Sequence, residues 1–172
     1  MERNIISIYV ENQAGVLSRI AGLISRRGYN IESLSVGETE DPRFSRVTVV
    51  IHGDAYVVEQ ISKQVGKLFD VINVKELKPE ASIYRELALI KIRADSDKRA
   101  EIVAIVDIFR ANIIDVSTST ITVEITGDQT KINAFCELVH SFGIIEIART
   151  GLTGLERGKD NIKEITFLKE DK

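Results

Sequence analysis

The first turn of the chain reads Asn12-Gln13-Ala14-Gly15-Val16-Leu17-Ser18-Arg19, and it joins a hydrophobic strand to the start of an amphipathic helix. A second asparagine occurs in Gly28-Tyr29-Asn30-Ile31-Glu32-Ser33-Leu34, where that helix gives way to the next strand. Backbone N–H groups at a helix N-terminus can receive a carboxylate, and asparagine oxygens can accept from an ammonium group. Gly15 has no Cβ, so a ligand can approach the backbone closely there. The pattern indicates a site that holds a small zwitterion, with no nucleophile, base or metal set beside it.

A purely structural role for the same turn is the main alternative. Asn12 or Gln13 could simply cap the helix, because asparagine is a preferred residue at that position. Gly15 would then only ease the turn. For an isolated Asn-x-x-Gly this structural interpretation is favoured, so the binding hypothesis depends on the rest of the chain.

Composition places the 172 residues among ordinary soluble globular proteins, with 44% hydrophobic and 28% charged residues. The formal net charge of −3 argues against a general surface for nucleic acid or anionic membranes, which requires a basic excess. No apolar run approaches the roughly 20 residues of a spanning helix, and no signal peptide is apparent. Cys136 is the single cysteine, so no intrachain disulfide is possible and a reducing, cytoplasmic setting is expected.

The first half of the chain predicts the order βαββαβ. Leu17, Ile20, Ala21 and Ile24 recur at helical spacing, whereas Val47, Val49 and Ile51 alternate as in a half-buried strand. Pro42 suits the turn of a hairpin. The predicted elements are Asn4–Glu11, Ala14–Arg27, Ile31–Thr39, Phe44–His52, Asp54–Phe69 and Val71–Leu77.

The second half predicts the same order, and Gly53-Asp54 and Gly127-Asp128 open the fourth element of each half alike. Its predicted elements are Arg85–Ala94, Ser96–Ala111, Ile113–Ser117, Thr120–Thr126, Asp128–Phe142 and Ile144–Ala148. Ser96 or Asp95 is expected to cap the first of the two helices. The fold class is therefore α+β, with two ferredoxin-like βαββαβ units joined at Lys78-Pro79-Glu80-Ala81-Ser82.

The sequence lacks the residues that other functions of this fold require. The central strand Ser45–Ile51 has no aromatic platform for RNA, and the first loop has no Cys-x-x-Cys for a metal. His52 and His140 have no partner at metal-ligand spacing, and no phosphate-binding or nucleophile motif occurs. Cys136 is interpreted as a small core residue. No catalytic residue and no metal site is predicted.

The two turn motifs together closely resemble the ACT domain of the small, regulatory subunit of acetohydroxyacid (acetolactate) synthases. Further similarity lies in Asp41-Pro42 with Ser45-Arg46, in Phe109-Arg110, and in Ile113-Ile114-Asp115-Val116. Glu146–Gly151 with Gly154–Gly158 is similar to the C-terminal domain of that family. The resemblance covers about residues 1–158. It implies an ACT regulatory domain at 1–78 and a C-terminal ferredoxin-like domain at 83–158. The resemblance says nothing about residues 159–172, which are interpreted as a charged tail.

The resemblance implies a non-catalytic subunit that binds a larger thiamine-diphosphate enzyme, activates it and confers feedback inhibition by valine. ACT domains of that family pair side by side, with valine between the protomers. The matching positions here are Asn12, Gly15, Val16, Leu17, Ser18, Asn30 and Ile31. The chain itself is expected to hold no cofactor, because thiamine diphosphate and Mg²⁺ belong to the catalytic partner. We also expect a homodimer through the ACT domains, without nucleic-acid or membrane partners.

Two alternatives remain open at this point. The chain could be a free-standing ACT-type amino-acid sensor that acts on another partner, or a small enzyme of the same fold. In the tail, Ile162, Ile165, Phe167 and Leu168 permit a short docked helix or strand as an alternative to a mobile segment.

Overall fold

The computed structural model describes residues 2–164 and divides them into two compact units. The first unit combines residues 2–83 with residues 152–164, and the second contains residues 84–151. Residues 152–158 cluster with the first unit in this division, while residues 153–156 also pair with the strand that begins at Ser82. The part of the chain that the structure describes has no helix long and apolar enough to cross a membrane.

The first unit has the predicted βαββαβ order. Its sheet is antiparallel, with strand order β2-β3-β1-β4. The elements are β1 Arg3–Glu11, α1 Val16–Arg26, β2 Ile31–Glu38, β3 Phe44–His52, α2 Ala55–Val65 and β4 Val71–Glu76.

One face of this sheet packs against both helices. Ile20 and Ile24 of α1 and Ile61 of α2 bury their side chains against Ile8 and Val49 of the central strands. These positions follow the helical and alternating spacings of the sequence, which explains why apolar periodicity located the elements. Burial of each large aliphatic side chain contributes about 1.5–3 kcal/mol to folding.

The register of the sheet defines two ends that matter for the site. At the hairpin end, Glu11 lies opposite Phe44, and Glu38 lies opposite Ser45. At the far end, Arg3 lies opposite His52, and Ile31 opposite Ile51. β2 pairs only with β3 among the described strands, so one of its edges is open.

The second unit repeats the order with strand order β6-β7-β5-β8. Ile90 and Val123 of the sheet pack against Ile102 and Phe135 of the helices, and Phe109 meets the Phe135 ring edge-on at 5.5 Å. Its elements are β5 Ser82–Arg93, α3 Arg99–Ile108, β6 Asn112–Val116, β7 Thr120–Gly127, α4 Gln129–Val139 and β8 Ile144–Arg149. The α+β class with two such units is confirmed.

Helix ends show where the sequence prediction was wrong. The carboxylates of Asp54 and Asp128 cap α2 and α4 by accepting from the amides of Val57 and Lys131. The expected cap of α3 by Ser96 or Asp95 is absent, because the chain first makes a turn in which the Lys98 amide bonds to the Asp95 carbonyl at 2.9 Å. The helix then begins at Arg99 without a side-chain cap.

The helices are also shorter than predicted. α2 ends at Val65, since Gly66 follows and the amides of Lys67 and Leu68 bond three residues back, which tightens the chain into a turn. α4 likewise ends at Val139 and continues as a 3₁₀ turn, His140–Phe142.

Residues 152–164, which we call the return segment, lie on the face of the first sheet opposite the helices. The segment contains β9 Thr153–Glu156, and its Leu152 and Ile162 are buried. The Asn73 amide donates to the Ile162 carbonyl at 2.7 Å, and Lys75 forms an ion pair with Glu156 at 3.0 Å. The beginning of the expected charged tail is therefore docked. The prediction for Ile165, Phe167 and Leu168 lies outside the described residues.

Candidate functional site

The turn between β1 and α1 has the backbone conformation that a helix-terminus site requires. Gly15 has φ 86° and ψ −11°, in the left-handed region that favours glycine. No side chain caps the helix. The Val16 amide bonds to the Gln13 carbonyl at 3.4 Å, while the amides of Leu17 and Ser18 find no acceptor within residues 2–164. These two N–H groups are available to an anion.

Asn12 ties this turn to the tip of the hairpin. Its Nδ2 donates to Glu38 Oε1 and to the Pro42 carbonyl, both at 3.0 Å. Its backbone amide donates to the Arg43 carbonyl at 2.7 Å. Because the amide nitrogen is committed to these contacts, the Oδ1 atom is the part of the side chain that can accept from a ligand.

An ion pair between Arg19 and Asp70 stabilises the same turn, and neither residue was predicted from the sequence as part of the site. Arg19 donates from Nε at 2.9 Å and from Nη2 at 2.6 Å to Asp70 Oδ2, and the Asp70 carboxylate is largely buried. The Asp70 carbonyl in turn accepts from the Glu11 amide at 2.9 Å. Arg19 and Asp70 are 51 positions apart, and no local spacing in the sequence signals this contact.

The hairpin tip beside Asn12 is also fixed electrostatically. Asp41 accepts from Arg43, whose Nη2 lies 2.6 Å from Asp41 Oδ2. This side-chain hydrogen bond lowers the pKa of the Asp41 carboxyl from its ordinary value. Pro42 lies between the two residues, in the turn that the sequence predicted.

Asn30 and Ile31 lie at the far end of the sheet, away from Asn12. Ile31 packs partly into the core, and Asn30 is exposed. Asn30 lines an open cavity of about 710 Å³ together with Tyr29, His52, Asp54 and Val57. Nearby, Glu32 accepts from Arg3 and from His52 Nε2, which lies 2.7 Å from Glu32 Oε2.

The predicted site therefore occurs in two parts within one chain. Asn12, Gly15, Val16, Leu17 and Ser18 lie together at the hairpin end, with Val16 buried and the others exposed. The strands between the two ends are eight to nine residues long, which at about 3.3 Å per residue is roughly 25–30 Å. No single amino acid can contact both parts of the same chain.

No group of three or more His, Cys, Asp or Glu side chains within residues 2–164 is arranged to hold a metal ion. Cys136 lies on α4 against the second core, and burial raises the pKa of its thiol. It is packed as the sequence interpretation expected of a small core residue.

Comparison with known proteins matches both units. A family profile described as the AHAS small subunit-like ACT domain matches residues 6–73, and one described as the small subunit of acetolactate synthase matches residues 85–158. A probable acetolactate synthase small subunit of Methanothermobacter thermautotrophicus is 51% identical over 158 residues, which cover 91% of this chain and 94% of that protein.

Two further similar proteins are also described as acetolactate synthase small subunits. The acetolactate synthase small subunit of Aquifex aeolicus is 47% identical over 165 residues, covering 95% of this chain and 85% of that protein. The crystal structure of an acetolactate synthase small subunit from Thermotoga maritima superposes with a TM-score of 0.86 at 42% identity, covering 93% of this chain and all of that one.

Proposed function

Because this chain belongs to the family of acetolactate synthase small subunits, we propose that it is a regulatory subunit that binds and activates a catalytic large subunit. We further propose that valine binds to it and inhibits the assembled enzyme, as feedback control of branched-chain amino acid synthesis. Catalysis, with thiamine diphosphate and Mg²⁺, is assigned to the large subunit, and the assembly is placed in the cytoplasm.

The proposed position of the valine site rests on the distance between Asn12 and Asn30 within one chain. A ligand that uses both asparagines must lie between two chains. Two chains could associate through the edge of β2 that no described strand covers, since an unpaired strand edge can pair with another strand.

A two-fold axis at the middle of β2 would bring the two half-sites together. Antiparallel pairing of β2 with its copy places Ile31 of one chain opposite Glu38 of the other. Glu38 is the residue that Asn12 contacts at 3.0 Å, so the Asn30 that precedes Ile31 approaches the Asn12 turn of the other protomer. Val36 on β2 is 50% exposed and Leu17 on α1 is 37% exposed, and pairing would cover both side chains. The symmetry generates two equivalent sites per dimer.

Each group of valine then has a complementary partner. Its carboxylate meets the unbonded amides of Leu17 and Ser18, and its ammonium meets the amide oxygens of Asn12 and of the second chain's Asn30. Tyr29 and Val57, which line the cavity at the far end, provide apolar surface for the isopropyl group. Gly15 leaves the backbone accessible to the ligand.

Inhibition follows if the holoenzyme has two conformations that differ in valine affinity. Coupling of about 1–3 kcal/mol, or roughly 5- to 150-fold, is typical of allosteric pairs. Because linkage is reciprocal for binding, a large subunit that binds more weakly to the valine-loaded dimer must lower valine affinity by the same factor.

Calorimetric titration tests the site directly. We expect saturable binding of valine with a Kd between micromolar and millimolar, about −8 to −4 kcal/mol. Valine amide should bind far more weakly, because it lacks the carboxylate. Equal affinity for the two compounds would refute the assigned role of the Leu17 and Ser18 amides.

Asn30→Ala separates regulation from activation. We expect this variant to bind and activate a purified large subunit while losing sensitivity to valine, since Asn30 is exposed and contributes nothing to the core. Asn112→Ala, which removes an exposed asparagine of the second unit bonded to Glu124, is the matched control and should behave as wild type. A folded Asn30→Ala variant that loses both activation and inhibition would place the effector site on the partner-binding surface. Failure to bind the large subunit in a pull-down would favour a free-standing sensor.

A further inference from the structure

A second cavity in the first unit lies on the face of the sheet opposite the helices. It is an open cavity of about 380 Å³ between the hairpin and the return segment. The sheet side contributes Tyr9, Ser35 and Arg46, and the return segment contributes Thr153, Leu155 and Lys163. The cavity shares residues 35–38 of β2 with the strand edge of the valine site proposed above. Its polar groups Ser35 and Arg46 nevertheless lie on the face of the sheet opposite the helices, whereas the valine site uses a helix N-terminus.

Arg46 carries a charge that the described residues leave uncompensated. It is half-buried, and its Nη1 donates to two neutral acceptors, Ser7 Oγ at 3.1 Å and the Gly154 carbonyl at 3.3 Å. Within residues 2–164 no carboxylate lies at ion-pair distance from Arg46; Glu156 acts on it only through its field and is itself paired with Lys75. Burial lowers the pKa of the Arg46 guanidinium, the sign of a cation that has lost water without gaining an anion.

A buried hydroxyl next to Arg46 is likewise unsatisfied. Thr48 lies two residues along β3, on the same face of the strand, and is 1% exposed. In the register of the sheet it lies between Ser7 and Ser35, yet its Oγ1 has no hydrogen-bond partner among residues 2–164. Thr48 does not line the cavity, so Arg46 is the group of this face that a guest in the cavity would meet.

The other charges around the cavity limit the guest to one negative charge. Lys163 is paired with Glu40, and Glu38 accepts from Asn12. Arg46 is therefore the one cation of the described cavity wall that has no carboxylate partner. The carboxylates of Glu38 and Glu40 on the same wall would repel a guest with two negative charges. They also have partners already, so a ligand ammonium would gain little from them. Tyr9 and Leu155 supply apolar surface at the same cavity.

We propose that this cavity is a second small-molecule site, which binds a monocarboxylate without an amino group. The carboxylate lies against Arg46, whose planar fork matches that geometry, and a short aliphatic chain contacts Tyr9 and Leu155. The ligand bridges the sheet and the return segment, so its binding fastens residues 152–164 onto the first unit.

The probe for this site is isovalerate, which has the carbon skeleton of valine but no ammonium group. Titration of the full chain followed by amide chemical shifts should show saturation, with the largest changes at residues 35–46 and 153–163. Amide hydrogen exchange in the return segment should slow at saturation. Absence of saturable isovalerate binding to the wild type at millimolar concentration would overturn the proposal, since the affinity range of metabolite sites ends near that value.

Three substitutions distinguish the site from an accidental anion contact. Arg46→Gln should weaken isovalerate binding by roughly 10- to 100-fold, the range expected for losing a charge-assisted hydrogen-bonded pair. Arg43→Gln removes an exposed arginine on the same hairpin and should leave the isovalerate Kd unchanged. Leu155→Trp fills the cavity from an exposed position and should also abolish binding, which keeps the test decisive if Arg46→Gln does not fold.

The outcomes also separate this site from the valine site. Arg46→Gln should retain wild-type valine affinity, and Gly15→Asp should retain wild-type isovalerate affinity. Isovalerate binding that survives both Arg46→Gln and Leu155→Trp would overturn the proposal. Inorganic phosphate that competes with isovalerate at equal affinity would overturn the assignment to a monocarboxylate.

Discussion

The role of the first turn in binding a carboxylate can be tested by comparing two variants, Gly15→Asn and Gly15→Asp. Both introduced side chains have the same shape, and both tolerate the left-handed conformation better than other residues do. At φ 86°, an added Cβ would lie 3.1 Å from Arg19 Nη1, the far end of a flexible side chain. We therefore expect both variants to fold, with a common loss of stability of about 1–2 kcal/mol from the left-handed backbone.

The charge that Gly15→Asp introduces produces the difference between the two variants. A carboxylate within about 4 Å of the bound ligand's carboxylate costs roughly 1 kcal/mol in water and roughly 4 kcal/mol near a protein surface. We expect Gly15→Asp to bind valine at least about tenfold more weakly than Gly15→Asn, since about 1.4 kcal/mol is a factor of ten. Calorimetry gives the affinities, and thermal unfolding followed by circular dichroism gives the stabilities.

Gly158 provides the matched control. It also has a positive φ, 69°, and an added Cβ there meets no atom of residues 2–164 within 4 Å. Gly158→Asn and Gly158→Asp should show the same backbone strain with identical, wild-type valine affinities. Equal valine affinities for the Asn and Asp variants at Gly15 would refute the placement of the ligand carboxylate at this helix N-terminus.

The fold supports three further predictions. Light scattering should report a dimer at micromolar concentration, because one edge of β2 pairs with no strand of the described chain; a persistent monomer would remove the basis of a site shared between chains. Asp128→Ala should destabilise the second unit by about 1 kcal/mol, since the lost carboxylate accepts from the Lys131 amide at 2.8 Å, whereas Asp95→Ala should have almost no effect. Arg110→Gly should stabilise the second unit by about 1 kcal/mol, because Arg110 lies just beyond the C-cap of α3 at φ 51°; a lower melting temperature for this variant would show that the arginine side chain contributes more than its backbone strain removes.

Apolar periodicity predicted the order of elements because burial on one face of a helix or strand leaves a direct trace in the sequence. Ile20, Ile24, Val49 and Ile51 were placed correctly for this reason. Helix ends were less predictable, since several polar residues compete to cap them. Asp128 caps its helix, but Asp95 supplies only a backbone carbonyl to a preceding turn.

The parts of the candidate site within one turn were predictable, and its longer-range contacts were not. Gly15 and Asn12 were recognised from local spacing. The brace from Arg19 to Asp70 joins residues 51 positions apart, and the docking of residues 152–164 depends on polar groups such as Asn73 and Lys75 that bond to distant backbone carbonyls. Such contacts have no period, so a single sequence contains no signal for them. The distance between Asn12 and Asn30 follows from strand direction, which fixes the two half-sites at opposite ends.

The docking of residues 152–164 on the first sheet has a consequence for biosynthesis. On a ribosome the first six elements emerge early, yet one face of their sheet stays uncovered until the whole second unit has been translated. During that interval Ser7, Thr48 and Arg46 are hydrated, and the cavity between hairpin and return segment does not exist. The first unit thus matures last, although its strands are made first. A nascent chain arrested near residue 151 should accordingly display an unfinished sheet to chaperones, whereas release of only about a dozen more residues closes it.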